Sequence, residues 1–178
     1  MSSDRPLSWS AIFAGAVSAL AIALMLTGLA AGFGLTVSFA GLASRAALTA
    51  FTPGLGALAV AIQVISAGIG GYLAGRLRHH WPEAHIDEAH FRDTAHGLIA
   101  WALFAIAGAV MAVAVLAPLA RELAPPAVDI AVDIGEPARA AHIAAQAAFF
   151  AGIGALISAF TAAVAARIGG LRSEDMRG

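Results

Sequence analysis

Cysteine is absent from this 178-residue chain, and so is lysine; all ten of its basic residues are arginine. The first absence excludes disulfides, thiolate metal sites, iron-sulfur clusters and thiol nucleophiles. Charge is scarce as well, at 12% of residues and a net −1, against roughly one quarter in an ordinary soluble domain. Nothing resembles the cationic surface that neutralises phosphates, so nucleic acid is excluded as a partner. No G-x-S-x-G, H-E-x-x-H or P-loop pattern occurs, which points away from an enzyme.

What the chain does contain is apolar sequence, 60% of the total. Four uncharged stretches are long enough to cross a hydrocarbon core of roughly 30 Å, which takes about 20 helical residues. They predict helices over Trp9–Leu35, Leu55–Gly75, Gly97–Ala120 and Ile143–Ala166. β-Barrel strands would alternate polar and apolar residues, and these runs do not. The first run is about twice as long as the apolar core of a signal peptide and reads as an uncleaved helix. The predicted fold is therefore all-α: a single integral membrane four-helix bundle over residues 1–178, with short interfacial helices in its connections.

Arginine placement predicts the orientation, because basic residues are retained on the cytoplasmic side. Arg5, Arg76, Arg78, Arg92, Arg167, Arg172 and Arg177 fall on one side, and Arg45, Arg121 and Arg139 on the other. Both termini and the 79–96 connection are then cytoplasmic, with Trp9 and Trp81 as interfacial anchors. The acidic 121–140 loop faces outward. Its tandem "AVDI" places Asp129 and Asp133 four residues apart on a surface helix. The connection from Thr36 to Gly54, with Arg45 as its single charge, reads as a short helix lying in the interface or as a re-entrant piece, the surface helix being preferred.

Helices in lipid associate through small residues that let backbones approach. In the second helix Ala57, Ala61, Val64, Gly68, Gly71 and Gly75 fall within about 80° of one another at roughly 100° per residue, predicting one packing face. Gly71 and Gly75 form a GxxxG pair, as do Gly28 and Gly32 in the first helix. Packing within one bundle and contacts between copies are both open at this point. A short match, "LAGRL" at Leu73–Leu77 with "AARI" at Ala165–Ile168, hints at an internal duplication.

Ionisable residues inside a bilayer usually mark an ion or proton path. None lies between the predicted helix ends, where the polar side chains are amides and hydroxyls such as Gln63, Gln146, Ser66 and Ser158. His96 and His142 begin helices on opposite sides and cannot share a haem. Met25 and Met111 read as gap-fillers in the bundle.

The remaining chemistry is concentrated in "HHWPEAHIDEAHFRDTAHG", residues 79–97, which holds five of the six histidines and four of the eleven carboxylates. With Pro82 in the first turn of a helix, Glu83, Asp87 and His90 share a face and form a candidate divalent-metal site. A solvated interfacial helix and a pH-responsive histidine cluster are the competing readings of the same residues. Asp93 is expected to cap the third helix. His96 is expected to point into the bundle and lock helix three against helix two, with Asp93, Arg76 or Arg92 as its partner.

Three phrases, "WSAIFAGA", "GGYLAGRLR" and "FRDTAHGLIAWAL", together resemble a group of small multi-pass membrane proteins common in alphaproteobacteria and often labelled PhnA-like. The resemblance spans roughly the first two-thirds of the chain. It implies the fold and the membrane placement, but no activity, substrate, cofactor or catalytic residue. The leading expectation is a structural or accessory inner-membrane protein, acting as a homo-oligomer or as a subunit docked on a membrane complex. A passive channel or small-solute transporter is the first alternative. A metal- or pH-responsive sensor or enzyme using segment 79–96 is the second.

Overall fold

The computed structural model describes residues 7–32, 53–78, 86–122 and 135–175. The described residues form four helices: α1 (Trp9–Gly32), α2 (Pro53–Arg76), α3 (Ile86–Glu122) and α4 (Gly135–Asp175). Each contains a segment long and apolar enough to cross a membrane: Trp9–Ala30, Pro53–Arg76, His90–Ala114 and Ala141–Ser173. The interfacial helices expected in the connections, Trp81, and the tandem repeat with Asp129 and Asp133 lie outside the described residues.

α1 begins at Ser8, whose carbonyl accepts the first helical bond from the Ile12 N–H at 3.1 Å, making Ser8 the N-cap. α3 departs from the expected start near Asp93. It is continuous from Ile86, so Asp93 lies two turns inside it and does not cap it. An ion pair between Arg92 and Glu88, spaced i and i+4, supports this early part of the helix. The Thr94 hydroxyl is also bonded within the helix, to the His90 carbonyl at 2.9 Å.

Close approaches define how the helices run. Gly15 of α1 lies against Gly70 and Ala74 of α2, and Gly70 against Gly15 and Ala19, so these two helices are antiparallel neighbours. Gly71 and Gly75 of α2 meet the backbone of Ala162 and Ala166 of α4 in the same order along both chains, so this pair is parallel. The sequence offset between these partners is the one that aligns Arg76 with Arg167 in the short internal match. α3 lies antiparallel to α4, with Gly97 against Ala162 and Ala166, and the Trp101 indole donating to Ser158 Oγ at 2.9 Å. Ile12, Ala74 and Ala100 form a cluster that joins α1, α2 and α3.

The small residues of α2 serve two neighbours. One face presents Gly71 and Gly75 to α4, and a second presents Gly70 and Ala74 to α1. Ala57 and Ala61, expected on the single packing stripe, are exposed, and Gly68 makes a looser contact with Thr161 at 3.2 Å from an added Cβ. Among the described residues, Gly28 and Gly32 have no other helix within 4 Å of an added Cβ. Two neighbours at different bearings require small residues over a wider arc than one stripe supplies.

Size is distributed inversely to a water-soluble core. The buried apolar side chains among the described residues are all alanine except Ile12 and Phe104. Large apolar side chains lie outside, including Phe13, Val17, Leu29, Ile106, Leu156 and Phe160. Met25 and Met111 are among these exposed residues, at 67% and 39%, and fill no gap in the interior. Large side chains between the helices would hold them apart, whereas alanine and glycine let the backbones meet.

Candidate functional site at the charged end of the helices

The start of α1, the end of α2, the first turns of α3 and the end of α4 come together at one end of the molecule. The chain leaves α2 through a turn kept helical by the Leu77 N–H to Leu73 carbonyl bond at 3.0 Å. Arg78 follows, and its side chain folds back against α3. Its Nε faces Asp93 Oδ1, and its Nη2 donates to Asp93 Oδ2 at 3.1 Å. Both side chains are nearly inaccessible, at 7% and 2%. Two parallel contacts between a guanidinium and a carboxylate combine charge with fixed geometry.

Asp93 fits there because α4 has no side chain opposite it. A Cβ on Gly170 would stand 2.6 Å from the Asp93 Cγ. One residue earlier, a Cβ on Gly169 would stand 3.0 Å from the Arg76 backbone nitrogen. The Gly169–Gly170 pair thus lets the end of α4 lie against α2 on one side and the Asp93 carboxylate on the other. Ser173 closes this turn by donating to the Gly170 carbonyl at 2.7 Å.

His96 lies one turn further along α3 and is 2% exposed. Its Nε2 accepts the backbone N–H of Ser8 at 3.0 Å, and its Nδ1 lies 2.6 Å from the Arg92 carbonyl. The expected partners were side chains, and the expected lock was against α2. Instead His96 joins α3 to the N-cap of α1, because both ring nitrogens meet backbone groups. The Arg92 side chain is turned to Glu88. Arg76 Nη1 donates to Tyr72 Oη at 2.7 Å, with the guanidinium 5.8 Å above the ring centre.

The expected metal trio is not assembled by the described residues. Glu83 lies outside them, and Asp87 lies on α3 with a side chain that is not described. His90 is half-buried, and Arg167 Nη2 points to its Nδ1 at 3.5 Å. Among the described residues no three His, Asp or Glu side chains converge as a metal site would require.

Chemically, this junction consists of helix-to-helix ties: a buried ion pair, a histidine bonded to two backbone groups, and glycines that admit them. The sequence pattern gives Arg78 only a place among the inner-side arginines and Gly97 only a helix start, and it assigns no role to Ser8, Gly169 or Gly170. The tandem glycines at 169–170 and the glycine directly after His96 are the local signals that mark close approach. Nothing in the sequence pairs Arg78 with Asp93 or Ser8 with His96. Comparison with protein-family models, curated proteins and solved structures finds no match to this chain.

Proposed function

We propose that the chain is a multi-pass protein of a bacterial inner membrane. In this reading it is a four-helix bundle with both termini cytoplasmic, and it acts structurally or as an accessory subunit through helix packing, self-association or docking on a membrane complex. The single observation that carries this reading is the inverted distribution of size, with alanine buried and Phe13, Val17, Ile106 and Phe160 outside. In water such a surface would be an aggregation hazard, whereas hydrocarbon matches it. The charged residues support the same reading. On the described spans they gather at the end formed by Arg78, Arg92, Asp93, His96 and Arg167, with His142 at the other end, leaving no titratable group between for an ion-coupled step.

The proposed orientation rests on the seven arginines assigned to the inner side. Kinship with the alphaproteobacterial group rests on its three shared phrases. The functional test is purification from native membranes in mild detergent, followed by mass determination and identification of what travels with the chain. A discrete homo-oligomer or a stoichiometric partner is the expected result. A lone monomer that conducts solute in liposomes above protein-free controls would replace this reading with a passive channel. A stoichiometric metal that is lost on His90→Ala would replace it with a metal-dependent one.

A further inference from the structure

We propose that His96 is a proton-operated latch on the start of α1: the neutral imidazole holds the N-cap residue Ser8, and protonation of Nε2 releases it. The inference is independent of what the protein assembles with. It begins with the two bonds that the ring makes. The Ser8 backbone N–H can only donate, so His96 Nε2 must carry a lone pair. The Arg92 carbonyl can only accept, so His96 Nδ1 must carry the hydrogen. Together these bonds define one state of the side chain, a neutral imidazole with its proton on Nδ1.

The position of Ser8 gives this state its consequence. The first N–H groups of a helix have no partner within it, and a carboxylate three residues into the helix often reaches back to satisfy that of the N-cap. Here α3 supplies that acceptor from outside. Adding a proton to Nε2 turns the acceptor into a donor that faces another donor. It also places a positive charge at the positive pole of the α1 dipole. Both effects oppose the contact, and neither acts on the other ties between α1 and its neighbours, such as Gly15 against Gly70.

The charged groups around His96 do not offset this. On α3 they are Arg92, paired with Glu88, and Asp93, paired with Arg78. Arg78, which follows α2, and Arg92 are the guanidiniums whose field reaches the ring. Arg76 ends α2 and is bonded to Tyr72. α1 carries no ionisable side chain among its described residues, and on α4 the described ionisable groups at this end are Arg167 and Arg172. Release would free the first turn of α1, while the α2–α4 contact stays closed.

The absence of cysteine makes a clean test available. Ser10→Cys and Leu98→Cys, both at exposed positions on α1 and α3, would carry a pair of spin labels in lipid nanodiscs. Distances would be measured from about pH 8 to about pH 5, spanning the range in which histidine titrates. The expected result is a narrow distribution at the upper value that broadens and lengthens at the lower, with the midpoint set by His96. Nitrogen-15 NMR of the histidine rings in the same range reports the tautomer and the titration directly. His96→Gln keeps an acceptor without a titrating group and is expected to remain narrow throughout. Acid broadening that persists in a folded glutamine variant overturns the proposal. So does an NMR spectrum with the Nε2–H tautomer at the upper pH, or a His96 that titrates while the distance stays constant. An imidazole that stays neutral to the lower limit overturns it too. Should the glutamine variant fold poorly or be open at every pH, the wild-type NMR and distance series decide.

Discussion

Removing one member of the Arg78–Asp93 pair is the most informative perturbation of the charged junction. The two side chains are 7% and 2% exposed, so solvent screens little of their interaction. With charge centres about 4 Å apart and an effective dielectric of about 20, their attraction is of order 4 kcal/mol. Asp93→Asn keeps the shape of the side chain and strands the guanidinium. Arg78→Met keeps much of the apolar stem and strands the carboxylate. Each change should cost about 3–5 kcal/mol, the usual penalty for leaving one buried charge uncompensated. The double variant has no stranded charge and should lose no more than the worse single, so the cycle should show a coupling of at least about 3 kcal/mol, the cost of the milder single. Gly170 makes the site tight, which is why an isosteric amide is preferred to a larger apolar residue at position 93. The assay is reversible unfolding in bicelles, followed by tryptophan fluorescence. Single variants each within about 0.5 kcal/mol of wild type, or losses that simply add, would refute the reasoning.

Three further outcomes follow from the packing. Gly71→Leu or Gly75→Leu drives a side chain into the backbone of Ala162 or Ala166 and should cost at least about 1–3 kcal/mol. Gly28→Leu, with open space at its Cβ among the described residues, should be neutral for the single chain, and thermal unfolding of the three variants compares them. If Gly28→Leu instead abolishes self-association in a cross-linking assay, that face lies between copies. His96→Phe leaves the Ser8 N–H without its acceptor and should cost about 1–3 kcal/mol, and it should be worse tolerated than His85→Phe, at a position outside the described residues; equal tolerance in the same unfolding assay removes the distinction. Trp101→Phe deletes the 2.9 Å bond to the fully buried Ser158 and should cost about 1 kcal/mol, with no measurable loss refuting a structural role for that bond.

The legibility of the sequence differed from element to element for physical reasons. A run of some twenty apolar residues reports only on its solvent, so the four spans could be read without knowing their neighbours. Their ends were harder. Asp93 has the right chemistry for a helix cap, and only the approach of Arg78 from the turn after α2, with the vacancy at Gly170, explains why it is buried inside α3 instead. The α2 stripe was drawn as one face because glycine and alanine carry no mark of which neighbour they admit. The structure divides them between Gly15 and Ala19 on α1 and Ala162 and Ala166 on α4.

His96 shows the same limit at the level of a single side chain. Its burial could be read from helical spacing, since Ala100, four residues on, shares its face and is buried too, and that periodicity is a local property of a helix. Its partner did not follow, since Ser8 lies 88 residues away in the sequence and offers a backbone group that any residue would have. By itself, then, the sequence determined an all-helical chain with four membrane-length segments, ionisable side chains confined to their ends, and small residues available for close packing. Only the tertiary structure decided which helix each small residue meets, which charges neutralise one another, and that a histidine would complete the start of a different helix. Those outcomes depend on contacts between distant segments, and no local pattern of polarity or size encodes them.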